Sequence, residues 1–140
     1  MPRIGYACVF GMLKDIVLCV DDEPIVLRTY SIFIERAGFR VAVAENGAAG
    51  LEMFRQQKDE ICLVLSDIVM PAMNGIEMAE SILQIDSEAK ILLMSGYIDD
   101  VLELQGRKRF AFIRKPFIHA VLIERIRSLI RTPYAAVSSM

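Results

Sequence analysis

The sequence predicts a doubly wound α/β domain: a parallel sheet with helices packed on both faces. Two observations carry this expectation. Short apolar runs of strand length alternate five times with apolar patterns of helical period, the signature of parallel strands buried on both sides. In addition, polar signals sit at the ends of four of those runs: Asp21-Asp22, Asp67, Ser95 and Lys115. In parallel strands all four would share the carboxyl edge of one sheet, where open α/β sheets build their binding crevices.

Taken in order, the strands are expected at residues 15–20, 40–44, 61–66, 90–94 and 111–113, and the helices at 24–37, 48–57, 75–85, 98–105 and 117–131. Pro24 suits a first helical turn, where its missing N–H is not needed. Gly38 stands where a helix ends on a glycine. Asn46-Gly47 marks the turn into the second helix, and residues 71–75 a loop. In the first helix Val26, Tyr30, Phe33 and Ala37 read as the core stripe, leaving Ile25, Leu27 and Ile32 as surplus apolar surface. In the last helix Ile118, Val121, Leu122, Ile126 and Leu129 read as the buried stripe, with Ile123 and Ile130 beside it. Crossovers between parallel strands are right-handed, which sets the hand and leaves the strand order open.

The 140 residues fit one domain able to bury a single core. A composition 54% apolar and 24% charged is that of a globular chain. The formal charge of −2 gives no basic footprint, so direct nucleic-acid binding is not expected. No run approaches the roughly 20 apolar residues of a membrane helix, so no membrane insertion is expected. The apolar stretch before Lys14 lacks the features of a signal peptide. Residues 1–13 read as an N-terminal extension, an upstream start or a tag, residues 14–131 as the domain, and 132–140 as a tail. Cys8, Cys19 and Cys62 are odd in number and lie in or near apolar runs, so they read as reduced core thiols of a cytoplasmic protein.

Three carboxylates, a hydroxyl and an ammonium converging on one edge suit a hard divalent cation beside a phosphate. Each also has a plainer reading. Asp67 could cap the following turn, Asp21-Asp22 could open the helix at Pro24, Ser95 could form a turn, and Lys115 could be solvated. No phosphate-binding glycine loop with a lysine occurs, so ATP is not the expected donor. The absence of G-x-S-x-G around Ser95, with His119 as the sole histidine, disfavours a hydrolase triad; His119 reads as a solvated residue of a first helical turn.

The motifs Asp21-Asp22-Glu23-Pro24, Asp67-Ile68-Val69-Met70-Pro71 continuing to Asn74-Gly75, Met94-Ser95-Gly96 and Phe112-Ile113-Arg114-Lys115-Pro116-Phe117 occur in this order at strand ends. With them the chain closely resembles the receiver domain of two-component response regulators, over about residues 14–131. The resemblance implies the flavodoxin-like strand order 2-1-3-4-5 and a phosphoacceptor at Asp67. It implies Mg²⁺ (or Mn²⁺) held by Asp21, Asp22, Asp67 and the backbone carbonyl of Val69. Two adjacent acids leave a strand on opposite faces, so we expect Asp22 to ligate directly and Asp21 mainly through water. Ser95 would bond a phosphoryl oxygen and Lys115 would pair first with the acceptor and then with its phosphate. The Lys115–Pro116 bond would be cis. Phe112 matches an aromatic switch coupled to Ser95, and reads equally as a plain core residue.

The implied function is a phosphorylation-switched signalling module that catalyses only its own phosphorylation and dephosphorylation. Its partners would be a sensor histidine kinase or phosphotransfer protein, a downstream protein the sequence does not name, and a second copy in a phosphorylation-dependent homodimer. Two rivals remain: a pseudo-receiver that never takes phosphate, and an aspartyl-phosphate phosphatase, which would want an acid where Val69 stands. The chain departs from the family at Ala72, where glycine is common; were φ > 0 required there, alanine would cost about 1 kcal/mol, and we expect the loop to adjust instead. Val69 and Tyr97 flank the phosphoryl position and are poorly suited to hold a water, which implies slow loss of phosphate.

Overall fold

A computed structural model describes residues 8–9, 12–96 and 110–131. Its elements are β1 (Cys8–Val9), β2 (Met12–Leu13), β3 (Ile16–Val20), α1 (Pro24–Arg36), β4 (Arg40–Ala44), α2 (Gly47–Gln57), β5 (Ile61–Asp67), α3 (Gly75–Ile85), β6 (Ile91–Ser95), β7 (Ala111–Arg114) and α4 (His119–Arg131). The expected helix at 98–105 lies outside the described residues. β1 and β2 form a short antiparallel pair within the stretch read as an extension. The other five strands form one parallel sheet in the order β4-β3-β5-β6-β7, the expected 2-1-3-4-5.

The sheet is a wall between two cores. Alternate strand residues point to opposite faces. Leu18, Val64, Ile91 and Leu93 therefore pack with Phe54 of α2 and Met78 and Ile82 of α3 on one side. Val17, Cys19, Leu63, Leu65, Leu92 and Met94 pack with Leu27 and Ile34 of α1 and Leu122 and Ile126 of α4 on the other. β3 and β6 are buried at every position, which is why their runs are uniformly apolar rather than alternating. Each such leucine or isoleucine stabilises the fold by roughly 1.5–3 kcal/mol through burial, and truncating one to alanine would cost about 2–5 kcal/mol.

The phases of two helices differ from expectation. In α1 the buried residues are Leu27 and Ile34, with Val26, Tyr30, Phe33 and Ala37 only half-buried. Leu27 thus belongs to the core, while Ile25 and Ile32 are exposed as expected. In α4 the buried set is Leu122, Ile126, Leu129 and Ile130. Ile118 precedes the first helical turn and is exposed, as is Val121. The expected helix begins two residues too early, which draws in Ile118, whereas Val121 lies within α4 on its exposed side.

The helix starts are built locally. Asn46 accepts the Ala49 N–H at α2, and Asn74 with Glu77 forms a reciprocal capping box at α3. Pro24 opens α1, and Gly38, at φ 105°, ends it where a Cβ would be strained. At the amino edge Arg40 donates to buried Asp15 at 2.8 Å and to Glu60 at 3.1 Å. Cations tie α4 to its surroundings: Arg125 donates to the Phe112 carbonyl at 3.2 Å and Arg127 to that of Ala37 at 3.1 Å, and Lys90 donates to the Ile130 carbonyl at 2.7 Å. Cys19 and Cys62 are buried free thiols, as expected, and burial pushes each pKa up to about 12. Among the described residues no helix is long and apolar enough to cross a membrane.

Candidate phosphoacceptor site

Strand register brings the polar signals to one edge in steps. Val20 pairs with Ser66, so Asp21 and Asp67 follow at the same level of adjacent strands. Asp67 itself pairs with Met94, and Ser95 with Arg114, which sets Ser95 and Lys115 each one residue further along.

Asp67 is held by its backbone from both sides. Its carbonyl accepts the Ser66 hydroxyl at 2.8 Å, the next residue's N–H donates to the Met94 carbonyl at 3.1 Å, and the Ile68 carbonyl accepts the Gly75 N–H at 2.8 Å. A Cβ on Gly75 would collide with the Asp67 carbonyl oxygen. The Asp67 carboxylate divides its acceptors: Oδ1 takes the Val69 N–H at 3.2 Å and Oδ2 takes the Lys115 ammonium at 2.8 Å. The turn-capping reading is therefore also true of Asp67, through one oxygen only.

Lys115 is neither simply solvated nor deeply buried, with its side chain 32% exposed. Partial burial works against its charge, yet the hydrogen bond and charge of Asp67 outweigh it and raise the pKa above the ordinary lysine value. Its backbone N–H donates to the Ser95 carbonyl at 2.8 Å, and the peptide bond to Pro116 is cis. Ser95 is buried. Phe112 lies lower on β7, half-buried against the core shared with α2 and α3.

Asp21 is the most enclosed acid of the group, at 1% exposure. Its Oδ1 accepts the Glu23 N–H at 3.0 Å, so it forms a local turn ahead of α1 and leaves Glu23 as the N-cap. Its Oδ2 is buried and has no hydrogen-bond partner. Burial is the main cause that raises the Asp21 pKa to about 6; the Glu23 N–H opposes this, the negative charge of Asp67 adds to it, and Lys115 offsets part. Asp22 is exposed, and one carboxylate oxygen from each of Asp21, Asp22 and Glu23 lies within 4.8 Å of the others. The site thus gathers Asp21, Asp22, Asp67 and Lys115, with Ser95 supporting Lys115 through its backbone.

Buried unpartnered Asp21 Oδ2 beside further carboxylates is the donor set of a hard cation, since oxygen ligands suit Mg²⁺ or Mn²⁺. The carbonyl of Val69 is the one expected contributor that the side-chain geometry does not bear on; the Val69 side chain is exposed.

Several features differ from the sequence reading or escaped it. Ala72 takes φ 65°, so the loop keeps the left-handed conformation rather than adjusting. His119 is not solvated: it is half-buried and stacks on Phe33, ring centroids 3.5 Å apart. Tyr30 stacks on Phe117 at 6.2 Å, and its phenol pKa is raised mainly by burial, with Lys115 opposing and Asp21 and Asp67 adding. Its electrostatic reach to three site residues makes it part of the surroundings of the site, which its place in an apolar stripe concealed. Glu23 joins the acid cluster, although the motif assigns only the two acids before it.

The sequence model of the family described as the response regulator receiver domain matches residues 17–127. Chemotaxis protein CheY of Thermotoga maritima is 34% identical over 116 residues, 81% of this chain and 95% of that protein. Transcriptional regulatory protein CseB of Streptomyces coelicolor is 31% identical over 117 residues, 82% of this chain but only 49% of CseB, so the chain spans about half the length of that relative. Among solved structures, response regulator protein TrrA of Thermotoga maritima in complex with Mg(2+)-BeF matches with a TM-score of 0.75 at 30% identity, over 82% of this chain and 98% of that one.

Proposed function

Because this chain belongs to the response regulator receiver domain family, a signalling family of two-component systems, we propose that Asp67 accepts a phosphoryl group from a phosphohistidine on a sensor histidine kinase or phosphotransfer protein. The observation that carries this is the Asp67–Lys115 pair, 2.8 Å apart, at the end of the central strand and beside the acids of β3. A carboxylate oxygen of Asp67 bonds to phosphorus as the P–N bond of the donor breaks, and the released imidazole takes up a proton. The anionic carboxylate must meet an anionic donor, and Lys115 supplies the protein's positive charge at that point. Asp21, Asp22, Asp67 and the Val69 carbonyl would hold Mg²⁺ (or Mn²⁺), which when bound offsets the charge of the phosphoryl oxygens. Ser95, on the neighbouring strand, bonds the transferred group and Phe112 follows it, so that a partner-binding face changes with phosphorylation.

Residues 14–131 form the receiver unit in this reading, working in the cytoplasm and binding either a downstream protein or a second copy. Incubation with acetyl phosphate and Mg²⁺ followed by intact-mass measurement tests the proposal. A gain of one phosphoryl group that Asp67→Asn abolishes supports it. No gain in the folded wild type, with its expected circular dichroism, would instead make the chain a pseudo-receiver.

A further inference from the structure

Three consecutive acids leave β3, and the receiver motif assigns work only to the first two. Glu23 stands at the N-cap of α1 with extended backbone, φ −104° and ψ 111°, and its side chain makes no capping hydrogen bond. Its own N–H is taken up by Asp21 Oδ1 at 3.0 Å. The Glu23 carboxylate is therefore not committed to the helix start. It instead shares a 4.8 Å cluster with the carboxylates of Asp21 and Asp22. Like charges gathered this closely repel unless a cation joins them. The site's ammonium, that of Lys115, is engaged by Asp67. Within that cluster Asp21 Oδ2 is a buried acceptor, in a residue only 1% exposed, with no hydrogen-bond partner, an environment that suits oxygen ligation of a cation.

We infer that Glu23 is a further carboxylate of the divalent-cation site, and that it sets the site's preference among cations; the inference rests on the phosphoacceptor reading above. Mg²⁺ holds to a small octahedron and keeps several waters, so it gains little from an added carboxylate. Ca²⁺ takes six to eight oxygens in looser geometry and gains more. Glu23 thus draws the site toward the larger ion, and its removal sharpens selectivity for Mg²⁺.

The test is cation binding to the unphosphorylated 140-residue chain, followed by calorimetry with Mg²⁺ and Ca²⁺ at about 0.1 M and about 0.5 M KCl, salt levels that bracket weak and strong screening. Glu23→Gln keeps the shape and removes the charge. It should weaken Ca²⁺ by about tenfold, as loss of a supporting carboxylate commonly does, and Mg²⁺ by a smaller factor. The difference should survive the higher salt, where diffuse attraction between exposed charges is screened. Glu23→Asp should recover most of the Ca²⁺ affinity. Equal binding of both ions by Glu23→Gln and wild type would overturn the assignment, as would a loss that vanishes at the higher salt. Asp22→Asn separates the two readings. If it abolishes binding while Glu23→Gln changes nothing, Glu23 alone is misassigned; if folded Asp22→Asn binds as wild type, the cation site and the phosphoacceptor reading fall together.

Discussion

Gly75 lies so close to Asp67 that no side chain fits between them: a Cβ on the glycine would overlap the aspartate's carbonyl oxygen and sit 3.0 Å from Ile68 Cα. The obstacle is backbone, which cannot swing aside as a flexible side chain would. The first turn of α3 is thereby pressed against the strand end that carries Asp67. Gly75→Ala should cost about 1–3 kcal/mol through overpacking, read as a lower urea midpoint. It should also slow labelling by acetyl phosphate, because the displaced segment is Asp67 itself.

Ala72 offers the opposite case. It is exposed and holds φ 65°, a conformation that costs a residue with a Cβ about 1 kcal/mol. Ala72→Gly should raise stability by roughly 0.5–1 kcal/mol without altering phosphorylation. An unchanged or lower melting temperature would mean that the loop is relaxed with alanine in place.

The enclosed acid of the site makes stability depend on pH. The Asp21 pKa is about 6 in the folded protein against 3.8 as its ordinary value. The folded state therefore holds this proton more tightly than the unfolded chain does. The associated stability is fully present below about pH 4 and is lost as the pH rises through 6. Asp21→Asn should raise the melting temperature of the cation-free protein at pH 7.5, and the gain should fade towards pH 4. Mg²⁺ should stabilise wild type at pH 7.5 more than the variant. Asp22→Ala should likewise keep the fold while losing Mg²⁺ binding and phosphorylation.

Val69 places an apolar side chain, 52% exposed, two residues beyond Asp67, the proposed acceptor. An apolar group there cannot orient an attacking water, so the acyl phosphate should be long-lived. Val69→Asn should shorten its half-life several-fold, measured by the decay of the phosphorylated mass after the donor is removed.

Ile25 and Ile32 leave α1 apolar on its outer side, at 76% and 44% exposure, and Ile118 next to α4 is exposed as well. The proposed phosphohistidine donor would dock against this apolar side of α1, as larger exposed apolar surfaces do at protein contacts. Ile32→Lys should slow transfer from a cognate phosphohistidine protein and leave labelling by acetyl phosphate unchanged, since the small donor needs no docking surface. Equal slowing with both donors would place the damage in the site.

Strands buried on both faces announce themselves as unbroken apolar runs, which made β3, β5 and β6 and their polar ends readable from sequence. The phase of α1 was harder, because Val26 and Leu27 stand side by side in a helix apolar on more than one face; only packing against Val17 and Leu65 selects Leu27. Ile118 misled for another reason, since it has the spacing of a helical residue while lying just outside the helix. His119 has an ordinary surface identity, and its stack on Phe33 comes from an element distant in sequence. Tyr30 is likewise defined by neighbours distant in sequence, Phe117 among them.

The Asp67–Lys115 contact joins β5 to β7 although β6 runs between them. It works as a hasp thrown across an intervening slat, and its length measures how two strands that never touch are set relative to one another. Any group inserted between carboxylate and ammonium must lengthen the hasp or turn it. The outer strand of the sheet, with Phe112 on it and α4 fastened to the Phe112 carbonyl by Arg125, is where that change in span would be felt.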